Sequence, residues 1–354
     1  MIYLIAGIAT FLLSALLTPL FRRFALSIGL LDKPGPRRVH KKPVARGGGV
    51  VVFASFWLVV TVILALEPTA LKFVEQRVLG IDQNLLGVMI GGAILLASGL
   101  WDDFRPLSPG VKLVWQFVAV LMPVLFGIRI WWFSNPLGGL NIVLGNWTYL
   151  FVPLWLILMI NVMNWLDGID GLATGISTIA AVVLVVLSLA SFVNQPATAL
   201  LAAALAGSAA GFLPFNFHPA KIFLGDSGSQ FLGYMIGIFA IISGGKVASA
   251  SLVLGIPILD AIWVILRRVV SGQSPFLADK RHLHHRFLEI GLSQRQTVMI
   301  YYLIALVFGM IALGTKTYGK FVAGAWLAGL MLVIATTLVL SQKFRANAKR
   351  RSTT

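Results

Sequence analysis

The chain has 354 residues, of which 58% are hydrophobic and only 11% charged, and its formal net charge is +16. A soluble domain carries roughly 25% charged residues, so a soluble globular enzyme is excluded; the absence of cysteine also excludes a disulfide framework, a thiolate metal site and a cysteine nucleophile. In such an apolar chain the positive balance reads as a cytoplasmic excess of Lys and Arg with affinity for anionic lipid or phosphate, and no nucleic-acid partner is expected.

Runs of about 20 apolar residues, each long enough to cross a ~30 Å hydrocarbon core as a helix, recur along the chain. They predict an all-α polytopic integral membrane protein of about 11 transmembrane helices, over 2–20, 47–66, 84–100, 111–127, 147–162, 172–193, 198–214, 229–243, 247–266, 298–315 and 319–341. The first run has no basic segment before it and is followed by Arg22 and Arg23, which places the N-terminus outside and argues against a signal peptide. Eleven crossings then put the C-terminus in the cytoplasm. On this topology 22 of the 28 Lys and Arg residues are cytoplasmic, and only Lys72, Arg77, Arg129, Lys246, Lys316 and Lys320 lie outside. Nine of the 12 carboxylates and all five histidines fall on the same inner side. The reading is a single transmembrane catalytic domain over 1–342, with cytoplasmic loops at 21–46, 101–112, 161–171, 214–229 and 267–297, and a basic tail over 343–354.

The inner loops carry the chemistry. The first, over 21–46, has eight cations suited to topology and anionic lipid, six of them in LLDKPGPRRVHKKPVARGGGV, whose glycine run Gly47–Gly49 allows close backbone approach to a ligand. In WDDFRPLSPGVK, Asp102 and Asp103 are adjacent carboxylates that need cations nearby; they point about 100° apart on a helix, so they divide their partners. The plainer reading is a solvated loop with a capping Asp. In NVMNWLDGIDGL, Asn161, Asn164, Asp167 and Asp170 are spaced three apart, a polar stripe if helical, suited to a sugar, a nucleotide or hydrated Mg²⁺. PFNFHPAKIFLGDSGS offers Asn216, His218, Lys221 and the hard-metal donor Asp226. Its amides before a helix are candidates for phosphate. DKRHLHHRFLEIG interleaves His282, His284 and His285 with Lys280, Arg281 and Arg286. That pattern favours anionic phosphate over a zinc site. Carboxylates for Mg²⁺ and cations for phosphate at a membrane surface are what phosphoryl transfer between a nucleotide and a lipid requires.

Taken in order, DKPGPRRVHKKP, DDFRPLSPGVK, NVMNWLDGIDGLATG, NFHPAKIFLGDSGS and DKRHLHHRFLEIG resemble the polyprenyl-phosphate N-acetylhexosamine-1-phosphate transferases. That family includes the bacterial undecaprenyl-phosphate GlcNAc-1-phosphate transferases and the MurNAc-pentapeptide translocase. The resemblance implies attack of a polyprenyl phosphate on the β-phosphorus of a UDP-sugar, with UMP leaving and Mg²⁺ (or Mn²⁺) required. It implies a multi-pass protein of the bacterial inner membrane, with a cytoplasmic active site, acting at the first membrane step of cell-envelope glycan synthesis, and a homodimer is compatible with it. By position, Asp226 corresponds to the principal metal ligand, and Asp102 and Asp103 to the acidic pair beside metal and lipid phosphate. Asp167 and Asp170 fall on the catalytic motif with Asn161 and Asn164 as substrate contacts. Asn216, Lys221, His282 and Arg281 fall on further substrate positions, and His284 and His285 on the histidine motif near the diphosphate. Lys42 corresponds to a substrate-binding lysine, although PVARGGG departs from the family's Pro-Arg-Met-Gly-Gly.

Direct displacement, with one Asp of the 102/103 pair orienting or deprotonating the lipid phosphate, is the expected mechanism; a double displacement through a phospho-aspartate is the rival. The pattern His-Leu-His-His resembles the GlcNAc branch, so UDP-GlcNAc is expected ahead of another UDP-N-acetyl amino sugar or UDP-MurNAc-pentapeptide. A transporter or lipid-binding scaffold is the reading from another class, and it calls for ionisable groups near the bilayer midplane.

Overall fold

The computed structural model describes residues 1–32, 43–191, 193–243, 246–272 and 282–351. Its helices are α1 (Ile2–Ser27), α2 (Gly49–Leu66), α3 (Gln83–Phe104), α4 (Pro109–Leu125), α5 (Thr148–Leu166), α6 (Leu172–Leu189) and α7 (Pro196–Asn216). They continue with α8 (Gly225–Ile242), α9 (Val247–Val253), α10 (Gly255–Val270), α11 (Leu283–Glu289), α12 (Gln294–Gly314) and α13 (Thr317–Arg351). Among the described residues three antiparallel two-residue pairs join them: β1 (Leu31–Asp32) with β2 (Val44–Ala45), β3 (Arg77–Val78) with β4 (Ile81–Asp82), and β5 (Trp132–Phe133) with β6 (Ile142–Val143).

The protein is an all-α polytopic membrane protein. Each expected span falls on a helix, and 247–266 is split between α9 and α10, which meet at a bend of 84°. Among the described residues, eight helices are long and apolar enough to cross a membrane, or nine with the bent pair taken as one span. The remaining two expected spans are α4, which has 17 residues, and α8. α8 opens with GDSGSQ, too polar for lipid, and every residue from Gly225 to Ile241 is buried. A helix enclosed on all sides by protein forms the middle of the bundle.

Several helices overrun the expected spans. α1 continues to Ser27, so Arg22 and Arg23 sit on a helix, not in a loop. α3 continues to Phe104 and carries Asp102 and Asp103 on its last turn. α13 reaches Arg351, within the segment expected as a tail.

Two kinds of surface explain the packing. Leu4, Ile8, Leu12, Leu16 and Leu20 of α1 are exposed at four-residue spacing, which is a lipid-facing stripe. The opposite face buries Ala6, Thr10, Ser14 and Thr18 against α7. A Cβ at Gly207 of α7 would strike the Gly7 carbonyl of α1, and one at Gly211 the Phe11 carbonyl. Small residues thus let these backbones touch, as helices in lipid require when apolar burial alone gives no preference for protein over tails. Gly207→Leu is expected to destabilise the detergent-solubilised protein by roughly 1–3 kcal/mol or more. The lipid-facing Leu12→Ala should stay within about ±0.5 kcal/mol. Thermal unfolding of the two variants checks the contrast.

Candidate active site

β2 delivers the first functional side chain. Ala45 forms a parallel bridge with Ile222, the Phe223 amide donates to the Ala45 carbonyl at 2.8 Å, and the Gly48 and Gly49 amides donate to Phe223 and Leu224 at 2.9 Å. This short zipper fastens the segment before α2 to the segment before α8 and sets Arg46 over the start of α8.

There Arg46 spans two carboxylates: its Nε donates to Asp103 Oδ1 at 2.9 Å and a terminal nitrogen to Asp226 Oδ1 at 2.8 Å. Lys112, on the first turn of α4, does the same from the other side, with Nζ 2.7 Å from Asp226 Oδ2 and 2.8 Å from Asp102 Oδ2. Asp102 also accepts the Leu107 amide at 2.7 Å, which closes the turn between α3 and α4. The two neighbouring aspartates therefore have separate partners, as their helical spacing predicts.

Asp103 has a second task. Asp226 N–H donates to its Oδ1 at 2.9 Å, and Ser227 donates to its Oδ2 through Oγ at 2.7 Å and N–H at 3.4 Å. The amides at the start of α8, expected from the sequence to be open to phosphate, are held by a carboxylate of the protein's own. An anion at this position satisfies amides that have no partner within the helix and complements the helix dipole. Gly225 makes the approach feasible. Its φ is +77°, and a Cβ there would lie 2.5 Å from Asp103 Oδ2.

Asp167 follows the last residue of α5 and receives a backbone hydrogen bond from Gly225. Burial pushes its carboxyl well above the usual range; Arg46 pulls it down, while Asp226 and Asp103 push it further up. The polar stripe expected along 161–170 breaks at this point, because α5 ends at Leu166. Asn164 Nδ2 donates to Ser229 Oγ of α8 at 3.0 Å, and Asn161 bonds Gln116 of α4 at 2.8 Å. Asp170 turns elsewhere: it meets His218 Nδ1 at 2.7 Å and the Ala220 amide at 3.1 Å. Asn216 is buried between Thr174 (2.8 Å) and the Ile222 carbonyl (3.1 Å), where it braces the chain entering the 217–224 loop. The Lys221 side chain is exposed, and its carbonyl accepts from Arg22 at 3.0 Å.

α11 carries the histidines to the same end. Asp260 of α10 takes His282 Nδ1 at 2.8 Å and the Leu283 amide at 3.0 Å. The His282 ring stacks on Trp165, with centroids 6.0 Å apart, and on His284 at 5.7 Å; His285 lies 4.3 Å from His284. A Cβ at Gly168 would lie 2.6 Å from His284 Nε2, so α11 docks on the turn after α5. Burial pulls the His284 imidazole well below the usual range, with His285 and His282 adding to the effect, so it is neutral near pH 7. Lys42, Lys280 and Arg281 lie outside the described residues.

The sequence does not single out Arg46 and Lys112 as site residues, since there they count only towards topology. The one signal was position: Arg46 directly precedes Gly47–Gly49, and Lys112 shares a short loop with the acidic pair. Among the described residues no three acidic or histidine side chains form a ready metal cage. The donors are nevertheless hard oxygens, and three carboxylates share two cations with Asp167 beside them, leaving an excess of negative charge even without a charge on Asp167. Such a set fits a small divalent ion held by one or two carboxylates, with water and ligand phosphate completing its shell. Arg46→Met, which leaves Asp103 and Asp226 facing each other without their shared cation, is expected to cost about 3–5 kcal/mol of stability. Arg46→Met combined with Asp103→Asn should cost less than the sum of the two single changes in thermal unfolding.

Known proteins resemble this chain over most of its length. Residues 85–244 match the model of glycosyl transferase family 4. The chain is 32% identical, over 98% of its length and 95% of that protein's, to a probable undecaprenyl-phosphate N-acetylglucosaminyl 1-phosphate transferase of Bacillus subtilis. It is 32% identical to a decaprenyl-phosphate N-acetylglucosaminephosphotransferase of Mycolicibacterium smegmatis, over 95% of this chain and 87% of that one. It is 27% identical to the undecaprenyl-phosphate alpha-N-acetylglucosaminyl 1-phosphate transferase of Salmonella typhi, over 93% and 87%. With its acidic residues gathered at the start of α8, inside the matched segment, the chain belongs to glycosyl transferase family 4.

Proposed function

We propose that the protein transfers N-acetylglucosamine 1-phosphate from UDP-N-acetylglucosamine to a polyprenyl phosphate, giving polyprenyl-diphosphate-N-acetylglucosamine and UMP. A lipid phosphate oxygen attacks the β-phosphorus, the bond from that phosphorus to the bridging oxygen breaks, and the oxygen leaves with UMP. The observation that carries the reading is the convergence of Asp102, Asp103, Asp167 and Asp226 around Arg46 and Lys112. The names of relatives sharing nearly the whole chain support the substrates.

The residues have distinct tasks. Arg46 and Lys112 are the cations that face phosphate oxygens once substrates enter, because each is held by carboxylates at the mouth of the cluster. Asp102 orients the lipid phosphate. That phosphate is mostly dianionic at neutral pH, since the second pKa of a monoester is about 6, so no strong base is needed. Neutral His284 and the Asp260-oriented His282 lie beside the turn carrying Asp167, where hydrogen bonds to a diphosphate help to place it. A net-negative cluster repels a diphosphate unaided, which favours a Mg²⁺ requirement with Asp226 and one of Asp102 or Asp103 as protein ligands. When bound, the ion neutralises charge on the diphosphate and on the departing UMP.

The topology follows from the same reading: eleven crossings, the N-terminus outside, and the cluster facing the cytoplasm of a bacterial inner membrane. Carboxylates concentrated at one end of the bundle argue against a transporter, which places such groups at mid-depth.

Purified protein given UDP-N-acetylglucosamine, polyprenyl phosphate and Mg²⁺ should release UMP, and Asp226→Asn should lower the rate by about 10²-fold or more. EDTA should abolish release and added Mg²⁺ restore it. Undiminished release by Asp226→Asn, or none by the wild type, contradicts the proposal.

A further inference from the structure

A second feature lies at the opposite end of the bundle. α8 begins in the carboxylate cluster and α12 begins beside Asp170, where Gln294 accepts from the Asp170 amide at 3.4 Å. Eighteen residues of α8 and 21 of α12 carry the chain roughly 27–31 Å away at 1.5 Å per residue. The segments that follow, Lys246 with α9 and Thr317 with α13, therefore start far from the cluster. Between them and the β5 turn lies a cavity of about 520 Å³. Its walls are mostly apolar, with Phe133, Val247, Leu252, Ile258 and Leu327 among them. No acidic residue lines it among the described residues, but Lys246 and Lys320 do.

A buried ammonium group beside a second cation in a mostly apolar cavity is costly. Lys320 is 9% exposed, and its Nζ donates to the neutral Ser249 Oγ at 2.8 Å. Lys246 is near enough to repel it, and burial pulls the Lys246 ammonium below the ordinary lysine range. Lys320 also sits in the first turn of α13, where the helix dipole disfavours a cation. Like charge, burial and dipole all act in one direction, and a bound anion would relieve all three. The same segment holds three of the six cations assigned outside, since Lys316 is exposed beside them.

The geometry points to a binding site for an anionic phospholipid, its phosphodiester between Lys246 and Lys320 and an acyl chain along the apolar wall. The wall selects an amphiphile over a soluble anion, and the lysine pair selects a negative headgroup. Exposed aromatic residues at the rim, Trp132 and Phe321, continue the apolar surface towards the bilayer. Size and lining match those of pockets that enclose apolar ligands with a few placed polar groups.

The test uses the full chain in detergent, mixed with dioleoyl phosphatidylglycerol or dioleoyl phosphatidylcholine, with retained lipid counted by native mass spectrometry. The wild type should retain one phosphatidylglycerol per chain and little phosphatidylcholine. Lys246→Gln with Lys320→Gln should weaken retention about tenfold or more, the loss expected on removing charge-assisted hydrogen bonds, and Lys246→Arg with Lys320→Arg should restore it. Gly324→Leu is the second probe. A Cβ at Gly324, which lines the cavity, would have only Leu252 within 4 Å, at 3.8 Å, so a leucine there has room to occupy the cavity while both lysines keep their charge. It should abolish retention while UMP release in detergent stays at the wild-type rate. Equal retention of both lipids, or wild-type retention by the Gln pair and by Gly324→Leu, overturns the site. Lipid found only on dimers also overturns it, because the cavity would then belong to an interface between copies.

Discussion

Everything at the active end depends on two cations being shared among carboxylates that could not otherwise lie together. Arg46 joins Asp103 to Asp226, and Lys112 joins Asp226 to Asp102. Without them the like charges would repel across a site largely screened from water, where such interactions are strong. With them, the segment after β2, the α3–α4 hairpin and α8, which are distant in sequence, are tied at one point. Asp103 takes part in both the ion pairs and the capping of α8, so the electrostatics of the cluster and the position of the central helix are one constraint.

This constraint explains why α8 is both buried and polar at its start. A helix beginning with Gly-Asp-Ser-Gly-Ser would be expelled from lipid, since each unsatisfied amide costs several kcal/mol there. Enclosed by neighbouring helices, with its first amides bonded to Asp103 and its serines to Asp103 and to the α5 amide Asn164, it is retained. The apolar remainder then fills the middle of the bundle. The opposite end is organised differently, by an apolar cavity with a lysine pair and no carboxylate among its described lining residues. The carboxylate cluster and the cavity thus have opposite charge balances.

Much of the fold was legible because lipid imposes length: a segment able to cross must be long and apolar, and each such segment is a helix. The count of independently convincing spans was less legible. α4 and α8 draw support from neighbours, and the 84° bend between α9 and α10 leaves no strong mark in a chain that is apolar on both sides of it. At the site, the motifs located the acidic and imidazole groups, and their gathering at one end follows from the order of the helices. The cations Arg46 and Lys112 could not be singled out, because any inner loop carries Lys and Arg for topology alone. Nor could Asn216 be recognised as a brace, since its partners Thr174 and the Ile222 carbonyl come from opposite sides of its own position in the chain. The stripe over 161–170 misled because three-residue spacing implies one face only while the helix lasts, and α5 stops at Leu166.

The sharing of Lys112 between Asp102 and Asp226 is the most direct point at which to probe the account, through a double-mutant cycle of Lys112→Met and Asp226→Asn read by unfolding free energy in detergent. The account predicts a coupling of about 1 kcal/mol or more between the two positions. Effects that add to within about 0.3–0.5 kcal/mol, as expected of independent sites, would contradict it.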